Sequence, residues 1–168
     1  MLILFLLLLG GGAALAGLFY WTARRRDLVR RPVEKQVGYG PRKALLIYQP
    51  SNRGKNHAMA WALARALAKA GHTVTLNYPS PVLSYDPQSY DLLIFGGSAY
   101  MGAVGRPLKD YLPSLRFRGK RVLLFVVGDL ERSPELAGLR LCVPEGNQIR
   151  SIKLRPGEAK KLCQFALG

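Results

Sequence analysis

Three short stretches constrain this chain more than anything else in it: KALLIYQ (43–49), YDLLIFGG (90–97) and RVLLFVVG (121–128). Each carries an unbroken apolar run that stops at Gly or Pro. A strand with one face in water alternates apolar and polar residues with period two. A run without alternation suits a strand covered on both faces, as in a parallel sheet flanked by helices. TVTLNY (73–78) does alternate, as a half-covered edge strand would, which places the second strand at the edge of the sheet.

Helical patterns lie between these runs. NHAMAWALARALAKAG (56–71) puts Ala60, Leu63, Ala64, Leu67 and Ala70 on one stripe, with Asn56 as the expected N-cap and Gly71 as the stop. RPLKDYLPSL (106–115) has Pro107 in its first turn and apolar residues at 108, 111, 112 and 115, and Pro113 keeps it short or kinked. In the tail, LRLCV (139–143) and QIRSIKL (148–154) look extended and GEAKKLCQFAL (157–167) looks helical. Either a shortened fourth helix or a C-terminal hairpin fits that tail. With right-handed crossovers the whole is a doubly wound α/β domain over residues 43–168, and an edge second strand fits the order 2-1-3-4-5.

The N-terminus is different in texture. Residues 1–22, MLILFLLLLGGGAALAGLFYWT, contain no charged side chain, enough to cross a hydrocarbon core of about 30 Å as one transmembrane helix. Phe19, Tyr20 and Trp21 stand where an interfacial aromatic belt would lie, and Arg24, Arg25, Arg26, Arg30 and Arg31 follow. Ala14-Leu15-Ala16 is a small-residue site of the kind a signal peptidase uses. The lack of basic residues before the apolar run, and their abundance after it, favour an uncleaved single-pass anchor with the C-terminal domain cytoplasmic. Residues 23–42 read as a basic juxtamembrane linker. The net charge of +15 fits anionic lipid or an acidic partner, and no nucleic-acid-binding motif accompanies it.

The segment that carries chemistry is YQPSNRGKN (48–56), a loop between the first strand and the first helix. A triphosphate loop needs Gly, four residues, then Gly-Lys-Ser/Thr. Gln49 stands at the first position and Asn56 at the hydroxyl position, so that chemistry is excluded. A monophosphate asks for less: inward amides, small polar side chains and a helix N-terminus. Residues 51–56 supply these. His57, His72, Asp86, Asp91 and Asp110 form no triad or carboxylate pair, Trp61 reads as packing, and Cys142 and Cys163 read as packing thiols without metal-site spacing.

On these residues the chain resembles the flavodoxin family. Ser51 and Gly54 match the family's Thr/Ser-x-Thr-Gly-x-Thr loop, with Arg53 and Asn56 standing at the later threonines. YDLLIFGGSAYMGAVGRPLKDYL (90–112) is similar to the family's third strand, flavin-ring loop and following helix, and FVVGDL (125–130) to its Gly-Asp turn, although no aromatic follows that turn. The resemblance implies a flavodoxin-like fold that binds FMN non-covalently and transfers electrons. It implies a phosphate held by Ser51, Asn52, Arg53, Gly54, Lys55 and Asn56. It implies a ring set against Ser98, Tyr100, Met101, Gly102, Gly128 and Asp129, with Tyr100 stacked on it. The chain also resembles the flavodoxin-like menaquinone-dependent protoporphyrinogen oxidases. Three functions follow as expectations: an electron carrier serving a redox protein or a quinone, a quinone-linked oxidase or reductase, or a cofactor-free scaffold.

Overall fold

The structure, a computed structural model, describes residues 11–12, 14–21, 27–51, 54–100, 102–129 and 134–168. Its centre is a parallel sheet of five strands: β2 (Arg42–Tyr48), β3 (His72–Asn77), β4 (Leu92–Tyr100), β6 (Arg121–Val127) and β7 (Gln148–Leu154). They lie in the order β3-β2-β4-β6-β7, which is the expected 2-1-3-4-5. The sheet does not end there. β1 (Lys35–Val37) adds antiparallel to β3, pairing Gln36 with Thr75, and β5 (Ala103–Val104) folds back on the end of β4.

β1 corrects two expectations. The alternating second strand is not the sheet edge, and the basic linker is not a free tether. Residues 27–37 return onto the domain through long-range bonds. The Val33 amide donates to Asn77 Oδ1 at 2.8 Å, and the Tyr85 hydroxyl to Glu34 Oε2 at 2.5 Å. Such pairings depend on residues more than forty positions apart, which no local pattern reports.

Among the described residues four helices cover the sheet: α1 (Lys55–Lys69), α2 (Arg106–Ser114), α3 (Pro134–Arg140) and α4 (Ala159–Leu167). Alternate residues of each central strand feed opposite cores. Ala44, Leu46, Ile94, Leu123 and Phe125 pack under Ala60, Leu63 and Leu67 of α1 and Leu162 of α4. Leu45, Ile47, Leu93, Phe95 and Leu124 pack under Leu108 and Leu112 of α2 and Leu136 and Leu139 of α3. Both faces of these strands are therefore dry, and this is why their sequences do not alternate. α3 resolves the tail as a shortened fourth helix. LRLCV, expected to be extended, lies at its end and in the turn beyond, while QIRSIKL is β7.

Residues 14–21 are helical and exposed, with Leu15, Leu18, Phe19, Tyr20 and Trp21 each at least half open to solvent. Among the described residues no helix is long and apolar enough to cross a membrane. Residues 1–10, 13 and 22, which belong to the expected span, lie outside them.

Candidate functional site

In a doubly wound sheet, loops at the carboxyl ends of neighbouring strands converge, and ligands bind there. Here β2, β4 and β6 are adjacent, so the 49–54 loop, the β4–β5 turn and the turn after β6 meet along one edge. The Gln49 amide donates to the Gly96 carbonyl at 2.8 Å, and the Gly128 amide to the Leu154 carbonyl at 2.9 Å, continuing the ladder into the loops. Glycine is required where the strands crowd. A Cβ on Gly97 would fall 2.6 Å from Val104 of β5, and one on Gly128 would fall 2.6 Å from the Ala99 Cβ.

The 49–54 loop is built around two residues. Gly54 sits at φ 66°, the left-handed region, and is the N-cap of α1; its amide donates to the Ser51 carbonyl at 3.1 Å. Asn56 is not the cap. It lies in the first turn of α1, wholly buried, and fastens the loop from inside. Its Oδ1 accepts from the Ser51 amide at 2.6 Å, and its Nδ2 donates to the Gln49 carbonyl. Asparagine suits this place because one side chain offers both an acceptor and a donor.

The loop also holds polar groups without partners among the described residues, the buried Gln49 Oε1 being one of them. Gly54, the N-cap of α1, has no side chain to offer the helix N-terminus, whose first amides have no partner within the helix. The Ser51 hydroxyl is buried and has no hydrogen-bond partner among the described residues. A buried hydroxyl in the loop that leads into the positive end of a helix belongs to a donor set for an anion.

At the other two loops, half-buried Ser98 precedes the β4–β5 turn, where Gly102 takes φ 77°, and exposed Asp129 follows Gly128. Tyr100 closes β4 and Lys55 opens α1. Asn52, Arg53 and Met101 lie outside the described residues, as do the side chains of Lys55 and Tyr100. The fold thus brings Ser51, Gly54, Ser98, Gly102, Gly128 and Asp129 to one edge, with Asn56 beneath it.

One grouping was not anticipated from the sequence. The Tyr48 hydroxyl and His57 Nδ1 are 2.7 Å apart, and the Tyr48 ring meets Tyr78 edge-on at 5.3 Å between centroids. Burial pushes the Tyr48 phenol up, helped by its contact with Tyr78. Together with Val33, Lys35, Trp61 and Asn77 these residues line a cavity of about 110 Å³. The signal was present as Tyr48, His57 and Trp61, but their meeting with residue 78 depends on the pairing of β2 with β3, and with residues 33 and 35 on β1.

The remaining polar candidates are structural. His72 is buried, and its Nδ1 lies 3.2 Å from the Leu67 carbonyl near the end of α1. Asp86 caps a short 3-10 turn through the Gln88 amide, and Asp91 accepts from the Lys43 amide at 2.7 Å. Cys142 and Cys163 are half-buried free thiols whose pKa burial raises, which makes them poor nucleophiles. No cluster among the described residues could hold a metal ion. Near Gly128, at the carboxyl end of β7, Lys153 and Glu135 form an ion pair at 2.9 Å, almost fully buried.

No protein-family model matches the chain, nor does any curated protein sequence. Solved structures do. Oxidised flavodoxin 2 from Bacillus cereus is 21% identical over 74% of this chain and 95% of its own, with a TM-score of 0.62. A flavodoxin from the Archaea is 18% identical over 73% and 91%, with a TM-score of 0.53. A flavoprotein of Lactobacillus acidophilus, solved in complex with FMN, is 14% identical over 73% and 98%, with a TM-score of 0.52. At such identities the likeness concerns architecture: the chain has a flavodoxin-like α/β fold.

Proposed function

We propose that this protein binds FMN non-covalently at the carboxyl edge of its sheet and carries electrons at the cytoplasmic face of a membrane, to which residues 1–22 anchor it. The observation that carries the cofactor reading is the buried Ser51 hydroxyl, without a hydrogen-bond partner among the described residues, in the loop that ends at the glycine N-cap of α1. It stands in a fold shared with a flavoprotein solved with FMN. Ser51 and the amides of Gly54, Lys55 and Asn56 would hold the phosphate, with Asn52 and Arg53 completing the loop. Asn56 would act through its side chain only as a frame. Ser98, Tyr100, Met101 and Gly102 would line one side of the ring, and Gly128 and Asp129 the other.

Bound FMN would supply the one- and two-electron chemistry, so the protein's share is binding, orientation and exclusion of water. No general acid or base is required of the chain. The anchor reading is supported by an uncharged stretch of 22 residues followed by arginines. The exposed apolar side chains of residues 15–21 support it too. The electron partner on this reading is a quinone or an acidic redox protein.

The test is a visible spectrum of the purified full chain, then titration of the apoprotein with FMN by quenching of flavin fluorescence. Ser51→Ala should leave apoprotein stability unchanged and weaken FMN roughly tenfold, the loss of about one hydrogen bond to a charged group. A colourless protein that FMN does not restore would overturn the reading.

A further inference from the structure

The sheet has two ends, and both are basic on the surface. At the amino ends of the strands stand Arg42, Lys43, Arg118, Lys120 and Arg121. At the carboxyl ends, beside the candidate site, the returning N-terminal segment exposes Leu28 and Val29 next to Arg30 and Arg31. Charge alone would turn the amino end toward anionic lipid. The length of the chain decides otherwise.

Asp27 is tied to the carboxyl edge. Its Oδ1 accepts from the Arg106 amide at 3.0 Å, at the start of α2, and the next residue's carbonyl accepts from Gln49 Nε2 at 3.2 Å, just past β2. Five residue steps separate Asp27 from the end of the apolar stretch at residue 22. Fully extended, they reach about 17 Å. About 6 Å of that is spent crossing the headgroup layer. β6, with seven residues, is roughly 20 Å long at about 3.3 Å per residue, before the turns at each end are added. With the amino end on the membrane, Asp27 would stand farther from the lipid than its tether reaches.

We infer that the carboxyl edge of the sheet, carrying the candidate site and the Leu28–Arg31 strip, is the surface that rests on an anionic bilayer. This deepens the anchored reading and rests on it. The strip matches such a surface: Leu28 and Val29 are 54% and 57% exposed and enter the apolar boundary, while the two arginines meet headgroup phosphates. The basic amino end is left facing away from the membrane, open to soluble partners. A cofactor at the carboxyl edge would then exchange electrons through the lipid-facing side.

The test uses the full chain, with Cys142→Ser and Cys163→Ala, in vesicles of phosphatidylcholine and phosphatidylglycerol that carry a headgroup quencher. Asp129→Cys and Arg118→Cys place a fluorophore beyond opposite ends of the same strand, β6. Val29→Cys and Gln148→Cys provide a second pair should either of the first fail to fold. The label at 129 should be quenched severalfold more than the label at 118. Equal quenching, or more at 118, in protein that survives an alkaline carbonate wash overturns the orientation and leaves the anchor standing. Release of the protein by that wash overturns both.

Discussion

Asn56→Ala should be the most damaging small change in the candidate site, through the loop's frame rather than through the ligand. Asn56 is wholly buried, and Gln49, whose carbonyl it holds, is only 6% exposed. Truncation leaves that carbonyl without a donor in a dry place, which costs about 1–3 kcal/mol. The Ser51 amide also loses its acceptor, but it is half-buried and water can replace part of the bond. Together these come to about 2–4 kcal/mol of apoprotein stability. In a domain of this size that is a fall of roughly 10 °C in Tm, read by circular dichroism. Asn56→Asp is the control. It keeps an oxygen for Ser51 but sets a carboxylate against the Gln49 carbonyl, so at neutral pH it should be no more stable than the alanine variant. A melting temperature for Asn56→Ala within about 2 °C of the parent would refute the reasoning. Strong destabilisation by Ser51→Ala would refute its complement, that this hydroxyl does nothing for the apoprotein.

Other substitutions probe the rest of the frame. A Cβ at Gly96 would lie 2.0 Å from the buried Phe125 ring, so Gly96→Ala should cost about 3 kcal/mol in urea unfolding, and adding Phe125→Leu should recover part of it. Burial is the main cause holding the His72 pKa below its ordinary value of 6.5. The unfolded chain therefore binds the extra proton, and stability is complete above that value and falls as pH drops through it toward the folded pKa. His72→Gln should flatten the dependence of Tm on pH between about 7 and 5, and an unchanged slope would count against a buried neutral imidazole. Glu135→Leu should cost about 3 kcal/mol by removing the carboxylate paired with buried Lys153. The double variant with Lys153→Met should regain much of that; equal loss in both would show that the pair itself contributes the stability.

The sequence alone determined the class of fold and the position of the loops. Strands covered on both faces cannot alternate, and the stripe on 56–71 has room for only one buried side. These are local facts, carried by neighbouring residues along the chain. The same holds for the place of Ser51 and Gly54 between a buried strand and a helix start. What only the tertiary structure decided involves partners far apart in the chain. Residues 27–37, which read as a basic tether, return to pair with β3 and to meet Gln49 and Arg106, and bonds between positions twenty to eighty residues apart leave no periodic trace. Asn56 read as a cap because its type and place suit one; its burial beneath the loop became visible only with Gln49 and Ser51 folded around it. Tyr48 and His57 were each unremarkable until the chain brought Tyr78, Lys35 and Val33 beside them. Local pattern reports which face of an element is dry, and long-range pairing reports what the dry and wet faces meet.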